Sequence, residues 1–298
     1  MSTSYVNADR KTNRIWSGCS MNILVTLNAN YLKPLKVMLQ SLFLNNPKEE
    51  FTIYLMHSSL TKQEVDDVES FVIRQKHELK EISIDPTMFS EAPVVKHYSV
   101  EMYYRLLAYK FLPKSIDRIL YLDPDILVIN ELNDLYHEDL DGYLYAAAYH
   151  DFASVKEINK LRWKPYEIEA YYNSGVLLMN LEEQRKQMKE EDIYHFVEVN
   201  RKKLILPDQD IINGLYSKYI KNIDEVQYNF DARFYYYYKL ISKNTLDIDY
   251  VMNHTAIIHF CGKKKPWHPN YTGKFHSLYK HYERLTKRNH MDMMSETS

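Results

Sequence analysis

Between Asn22 and Asn130, short apolar runs alternate with stretches whose apolar residues recur every three or four positions. Asn22 to Leu27 (NILVTL) reads as a buried strand, after which Leu32, Leu35, Leu39 and Leu42 fall at helical spacing. Phe51 to Met56 is the next strand. Thr61-Lys-Gln-Glu64 has the form of a capping box, and Val65, Val68 and Val72 continue a helix from it. Ile82 to Ile84 reads as a strand, and Ser99 is placed to cap a helix through Phe111, which Pro113 ends. Arg118 to Asn130 (RILYLDPDILVIN) then returns to strand. A β-α-β-α-β-loop-α-β order implies an α/β fold, a mostly parallel central sheet with helices on both faces.

The second half is less regular. Tyr143 to Ala148, Gly175 to Met179 and Ala256 to Phe260 read as strands. Leu181 to Lys203 reads as a charged, exposed helix, and Asp208 to Tyr216 as a short one. No internal repeat or low-complexity linker marks a domain boundary.

Composition narrows the function classes. A net charge of −2 lacks the basic excess of a general nucleic-acid binder. Two cysteines, Cys19 and Cys261, give no disulfide framework and fit a reducing compartment. No apolar run approaches the ~18 residues of a membrane span, and residues 1–20 lack the apolar stretch of a signal peptide. The expectation is a cytoplasmic protein with a flexible extension at 1–20. Only six glycines are present, with no glycine-rich phosphate loop among them, so a nucleotide must be held in another way.

Asp123 and Asp125 stand one proline apart in an apolar run, where unpaired carboxylates are costly. In a strand, residues i and i+2 point to the same side, which puts these Cα atoms ~6.5–7 Å apart. Two carboxylates about 5 Å apart repel by roughly 3 kcal/mol at an effective dielectric of about 20. A divalent cation between them reverses that sign, and oxygen ligands suit Mg²⁺ or Mn²⁺. The competing reading is a polar D-P-D turn joining two hairpin strands. The placement at the end of a parallel strand, where open α/β sheets bind ligands, favours the cation. Asn28 and Asn30 follow the first strand, N173-S-G stands before another, and His259 lies in the last, ahead of C261-G-K-K-K-P-W267. Histidine completes a two-carboxylate Mn²⁺ site, although a lone histidine in an apolar strand is also an ordinary core residue.

Five ordered stretches carry a family resemblance. L120-Y-L-D-P-D-I-L-V128 resembles the D-x-D strand of the family 8 glycosyltransferases. V25-T-L-N-A-N-Y31, Y171-Y-N-S-G-V-L-L-M-N180, L206-P-D-Q-D-I-I-N-G214 and I258-H-F-C-G-K-K-K-P-W267 match in the same order. The resemblance implies a GT-A fold, a Rossmann-like nucleotide-diphospho-sugar transferase, across residues 21–267. A small helical, basic and aromatic segment follows at 268–298. It implies retaining, metal-dependent transfer of galactose or glucose from a UDP-sugar to a glycan or lipid-linked acceptor, in cell-envelope polysaccharide biosynthesis. Asp123, Asp125 and His259 match the metal ligands, for Mn²⁺ or Mg²⁺. Thr26, Asn28 and Asn30 match uracil and ribose contacts, and Asn28 stands where the family often has aspartate. Arg105 matches the residue that reaches donor sugar and phosphate. Asp151, Asn173, Asp208 and Gln209 match sugar-pocket positions, and Gly262 and Lys265 match residues that close over the diphosphate.

Two further classes compete: a Mg²⁺-dependent phosphohydrolase using D-x-D as nucleophile, and a catalytically inactive sugar-binding module. The tail poses a separate choice. From Lys263 to His290 there are eight Lys or Arg and one acidic residue, Glu283, with Tyr271, Phe275 and Tyr279 at four-residue spacing. Such a segment either lies on the inner face of an anionic membrane or packs its aromatics on the protein's own core.

Overall fold

The computed structural model describes residues 20–89, 92–93, 102–149 and 161–296. The expected cap at Ser99 and the sugar-pocket residue Asp151 lie outside the described residues. Ten strands are described: β1 (Met21–Thr26), β2 (Phe51–His57), β3 (Glu78–Ser83), β4 (Arg118–Leu122), β5 (Ile126–Val128), β6 (Tyr145–Ala147), β7 (Val176–Asn180), β8 (Ile220–Asn222), β9 (Phe230–Asp231) and β10 (Ile257–His259). Seven of them form one sheet in the order β3-β2-β1-β4-β7-β6-β8, and β5-β10-β9 form a second, smaller one. In the large sheet β3, β2, β1 and β4 run parallel, as do β6 and β8, whereas β7 is antiparallel to both β4 and β6.

Alternation along the strands builds the core. Leu24, Tyr54, Met56, Ile119 and Tyr121 point to one face of the large sheet, and Ile23, Val25, Ile53, Leu55, Leu120 and Leu122 to the other. The first face is covered by the segments Met102–Leu106 and Pro207–Tyr216 and by Phe196 and Val197. The second is covered by the helices Leu32–Asn45 and Lys62–Arg74. The capping box at the start of Lys62–Arg74 is fully formed: Thr61 accepts from the Glu64 N–H, and the Glu64 side chain accepts from the Thr61 N–H.

Several expectations are corrected. The third strand starts at Glu78, because an edge strand tolerates the polar residues of ELKEIS while burying Leu79. The segment before Pro113 is two short pieces, Met102–Leu106 and Ala108–Phe111. The stretch from Leu181 divides at Met188, whose backbone is extended, into Leu181–Gln187 and Glu190–Asn200. The second of these is not simply exposed: Ile193, Phe196 and Val197 recur at helical spacing and are buried.

The tail also resolves in favour of the core. The helix His276–Glu296 begins after Phe275, so the Tyr271–Phe275–Tyr279 spacing is not one helix face. Phe275 and Tyr279 are 2% and 1% exposed, and pack with Phe230, Phe260 and Trp267 beside the small sheet. No helix among the described residues is long and apolar enough to cross a membrane.

Candidate active site

Strand β4 ends at Leu122, and Asp123-Pro124-Asp125 is a turn that carries the chain from the large sheet into the small one. The two aspartates are therefore not in strand conformation, and β4 and β5 do not form a hairpin with each other. Strand β5 pairs instead with β10, with His259 opposite Ile126, and the Phe260 N–H donates to the Asp125 carbonyl at 3.0 Å. That register sets the imidazole beside the turn. His259 Nε2 is 3.3 Å from Asp125 Oδ1 and 4.0 Å from Asp123 Oδ2. One ligand atom from each of Asp123, Asp125 and His259 lies within 4.8 Å of the others. Octahedral ligands at ~2.0–2.1 Å from an ion stand about 3 Å apart when adjacent and about 4 Å when opposite. Small side-chain shifts bring these three into that range.

The residues around the triad fit a divalent cation. Two oxygen donors and one imidazole are a set that Mn²⁺ or Mg²⁺ accepts. Gly175 leaves the space open: a Cβ there would stand 2.3 Å from His259 Cε1 and 2.7 Å from Asp123 Oδ2. Two protein cations hold the carboxylates. Lys265 Nζ is ion-paired with Asp125, and Arg105 Nη2 is 3.1 Å from Asp123 Oδ1. Burial opposes the charge on Asp125, but His259 and Lys265 outweigh it and hold the carboxyl well below its ordinary range. Burial likewise opposes the charge on His259, and Cys261 and Asp125 keep its imidazole well above the ordinary histidine value.

Arg105 joins this centre to a second group of residues. Its guanidinium stacks 4.4 Å from the Tyr121 ring centroid, places Nη1 3.0 Å from Asp208 Oδ2 and donates to the Ser174 carbonyl at 3.1 Å. Burial disfavours its charge, but Asp123, Tyr121 and Asp208 more than compensate, so it stays a cation. Asp208 also accepts from Ser174 Oγ at 2.8 Å. Gln209 Oε1 accepts from Asn173 Nδ2 and from the Ser174 N–H, both at 3.4 Å. Asp208 and Gln209 open the helix Pro207–Tyr216, whose N-terminal end attracts negative charge.

Thr26, Asn28 and Asn30, expected on the base side, flank this network. Thr26 is buried, with its hydroxyl 3.2 Å from that of Tyr121, and Tyr121 in turn donates to Asp123. Asn28 Oδ1 accepts from the Asn30 N–H at 3.1 Å, which fixes the turn that follows β1. The rings of Tyr31 and Trp267 meet edge-on at 5.9 Å, so this turn lies against the Gly262–Trp267 loop. Gly262 has φ +84°, a backbone conformation that favours glycine, and a Cβ there would also come within 2.9 Å of the far end of the flexible Arg233 side chain. Lys265 also donates to the Phe260 carbonyl at 2.9 Å.

Comparison with known proteins places this arrangement. The model of the family described as "Glycosyl transferase family 8" matches residues 22–271. The chain belongs to glycosyl transferase family 8. It is 28% identical to General stress protein A of Bacillus subtilis (strain 168), over 90% of this chain and 95% of that one. It is 26% identical to a lipopolysaccharide 1,2-glucosyltransferase of Escherichia coli, over 88% and 78% of the two chains. The crystal structure of the galactosyltransferase LgtC, in complex with donor and acceptor sugar analogs, superposes with a TM-score of 0.75 at 24% identity, covering 89% of this chain and 96% of that one. The two share the GT-A fold.

In this family 8 glycosyltransferase the expected residues Asp123, Asp125, His259, Lys265, Arg105, Asp208, Gln209 and Asn173 form one connected cluster, with Thr26 attached through Tyr121. Asn28, Asn30 and Gly262 border it. Tyr121, Ser174, Gly175 and Asn229 belong to the site and carried no role in the sequence reading. Tyr121 had the apolar pattern of a core strand. Gly175 was visible only as part of N-S-G, and its reason is the space it leaves for a strand 84 residues away. Asn229 gave no sequence signal.

Proposed function

We propose that this enzyme transfers a hexose, galactose or glucose, with retention of anomeric configuration. The donor is UDP-galactose or UDP-glucose, and the acceptor is the hydroxyl of a glycan or of a lipid-linked saccharide. The observation that carries this is the convergence of Asp123, Asp125 and His259 beside two fixed cations, Lys265 and Arg105, at the end of β4. The lipopolysaccharide glucosyltransferase relative supports the acceptor class.

A divalent ion held by Asp123, Asp125 and His259 would act as a Lewis acid toward a diphosphate. The chain's own groups do the rest. Lys265 and Arg105 place positive charge where negative charge develops on the leaving diphosphate. Thr26, Asn28 and Asn30 hold the uracil and ribose. Asn173 and Gln209 line the sugar side.

Asp208 is already engaged by Arg105 and Ser174, so it orients the arginine rather than attacking the sugar. The Gln209 amide is a weak nucleophile. The reading is therefore a front-face displacement. The acceptor oxygen bonds to the anomeric carbon on the side from which the diphosphate departs. The sugar–phosphate bond breaks with its electrons on the phosphate oxygen, and the hydroxyl proton passes to that oxygen. A trapped glycosyl adduct on Gln209 or a neighbouring carboxylate would overturn this step.

The proposal includes membrane contact at the inner face through Lys274, Arg284 and Lys287, which are exposed while the aromatics of the tail face inward. Co-sedimentation with anionic vesicles that is lost when these three become glutamine tests that part. The activity itself is tested by incubating the protein with UDP-galactose and UDP-glucose in Mn²⁺ and measuring UDP. Release of UDP from one donor, abolished by EDTA and by Asp125→Asn, is expected. Turnover that survives chelation, or steady phosphate release from simple phosphate esters instead, sinks the proposal.

A further inference from the structure

Asn229 is fully buried, follows the short helix Glu225–Tyr228 and precedes β9. It touches the site on two sides. Its Oδ1 is 2.8 Å from His259 Nδ1, and its Nδ2 is 3.0 Å from Asn173 Oδ1. The direction of each bond follows from one group whose chemistry is fixed. The backbone N–H of Gly175 donates to Asn173 Oδ1 at 2.9 Å, so that atom is an acceptor. The Asn229 atom facing it must then donate, which makes it the NH₂ group. The Asn229 oxygen is left facing His259, and it can only accept, so His259 Nδ1 carries a hydrogen. The remaining ring nitrogen, Nε2, points at Asp123 and Asp125.

We infer that Asn229 is a positioning residue that locks the His259 ring with its Nδ1–H held by the protein and its Nε2 presented as a ligand atom to the Asp123–Asp125 pair. The inference rests on the metal reading of the site proposed above. A ligating imidazole must have its ligand nitrogen free of hydrogen, and the partner of the other nitrogen decides which one that is. Here that partner is a neutral amide, itself held by Asn173. Asn173 also donates to Gln209. The orientation of the imidazole is thus set from the Asn173–Gly175 segment ahead of β7, which is proposed to line the sugar side and whose glycine leaves space for the ion.

The test compares Asn229→Leu with Asn229→Asp in the full chain, with Mn²⁺ affinity read by titration of the free-ion EPR signal. Leucine matches the volume and removes the acceptor. Aspartate keeps an oxygen for Nδ1–H and removes the donor to Asn173. Removing such an outer partner costs ~10- to 100-fold in metal affinity. Asn229→Leu is expected to show that loss, and Asn229→Asp to stay within about threefold of wild type. Melting temperatures establish that each variant is folded. If aspartate prevents folding, Asn229→Ser, with room for a water that accepts from Nδ1, takes its place. Equal loss in both variants, or no loss in leucine, overturns the role of Asn229 alone. The absence of saturable Mn²⁺ binding by the wild-type protein overturns the metal reading, and this inference falls with it.

Discussion

Replacing Gly175 by alanine sets a single methyl group against two of the three proposed metal ligands. The added carbon would lie 2.3 Å from His259 Cε1 and 2.7 Å from Asp123 Oδ2. Carbon atoms in contact stand ~3.5–4.0 Å apart, so the imidazole has to move by more than about 1 Å. Metal–ligand distances tolerate only ~0.2 Å. In the ion-free protein Asp123 is partly exposed and can swing aside, but His259 is buried and held by Asn229, so part of the strain also falls on the fold. Binding an ion pulls both groups back against the methyl. Overpacking of this kind costs ~1–3 kcal/mol, and when that cost falls on the bound state the affinity drops ~5- to 150-fold. Backbone strain does not contribute, because Gly175 is not in the left-handed region. EPR titration with Mn²⁺ measures the affinity, and thermal melting in EDTA measures the fold. The expected result is a folded protein with a somewhat lowered melting temperature and weakened Mn²⁺ binding. Wild-type affinity in a folded Gly175→Ala protein would refute the placement of the ion between these groups.

Other consequences are open to measurement. Arg105→Lys should destabilise the fold by roughly 2–3 kcal/mol in urea titrations, because one ammonium cannot bridge Asp123, Asp208 and the Ser174 carbonyl as the guanidinium does; a lysine variant as stable as wild type would show the bridge to be idle. Thr61→Ala removes the capping box and should cost ~1 kcal/mol in the same assay. His77 is held below its ordinary pKa by burial, and its Nδ1 accepts the Phe51 N–H at 3.3 Å. The unfolded chain therefore takes up a proton near pH 6.5 that the folded chain resists. The stability this imidazole contributes is present above that pH and declines as pH falls, so melting temperatures of His77→Gln should depend less on pH between 7.5 and 5.5 than those of wild type.

Local patterns were legible where a single segment decides its own structure. The capping box at Thr61 and the apolar runs of β1, β2 and β4 needed no distant partner to be recognised. The site was legible as a set of matching stretches, but its connections were not. Asp123 and Asp125 looked like alternate residues of one strand because RILYLDPDILVIN is apolar on both sides of the pair. The chain turns there because β5 finds its partner in β10, about 130 residues later, and no local pattern announces that pairing. The C-terminal aromatics were ambiguous for the same reason: only the presence of Phe230 and Phe260 at the small sheet turns Phe275 and Tyr279 inward. Tyr121, Gly175 and Asn229 act through groups far off in sequence, and their roles appear only when the two sheets are set side by side.

Asp123, Asp125 and His259, from the end of β4 and from β10, are proposed to hold an ion on which a uridine nucleotide's diphosphate rests. Thermal melting with UDP at ~100-fold over its dissociation constant, with and without Mn²⁺, tests this most directly. Saturation at that level is worth about 2.7 kcal/mol, or a rise of roughly 4 °C for a chain of this size. That rise is expected with Mn²⁺ and UDP together, and is expected to vanish in His259→Ala. An equal rise from UDP in EDTA, or a full rise in the His259 variant, would contradict the proposal.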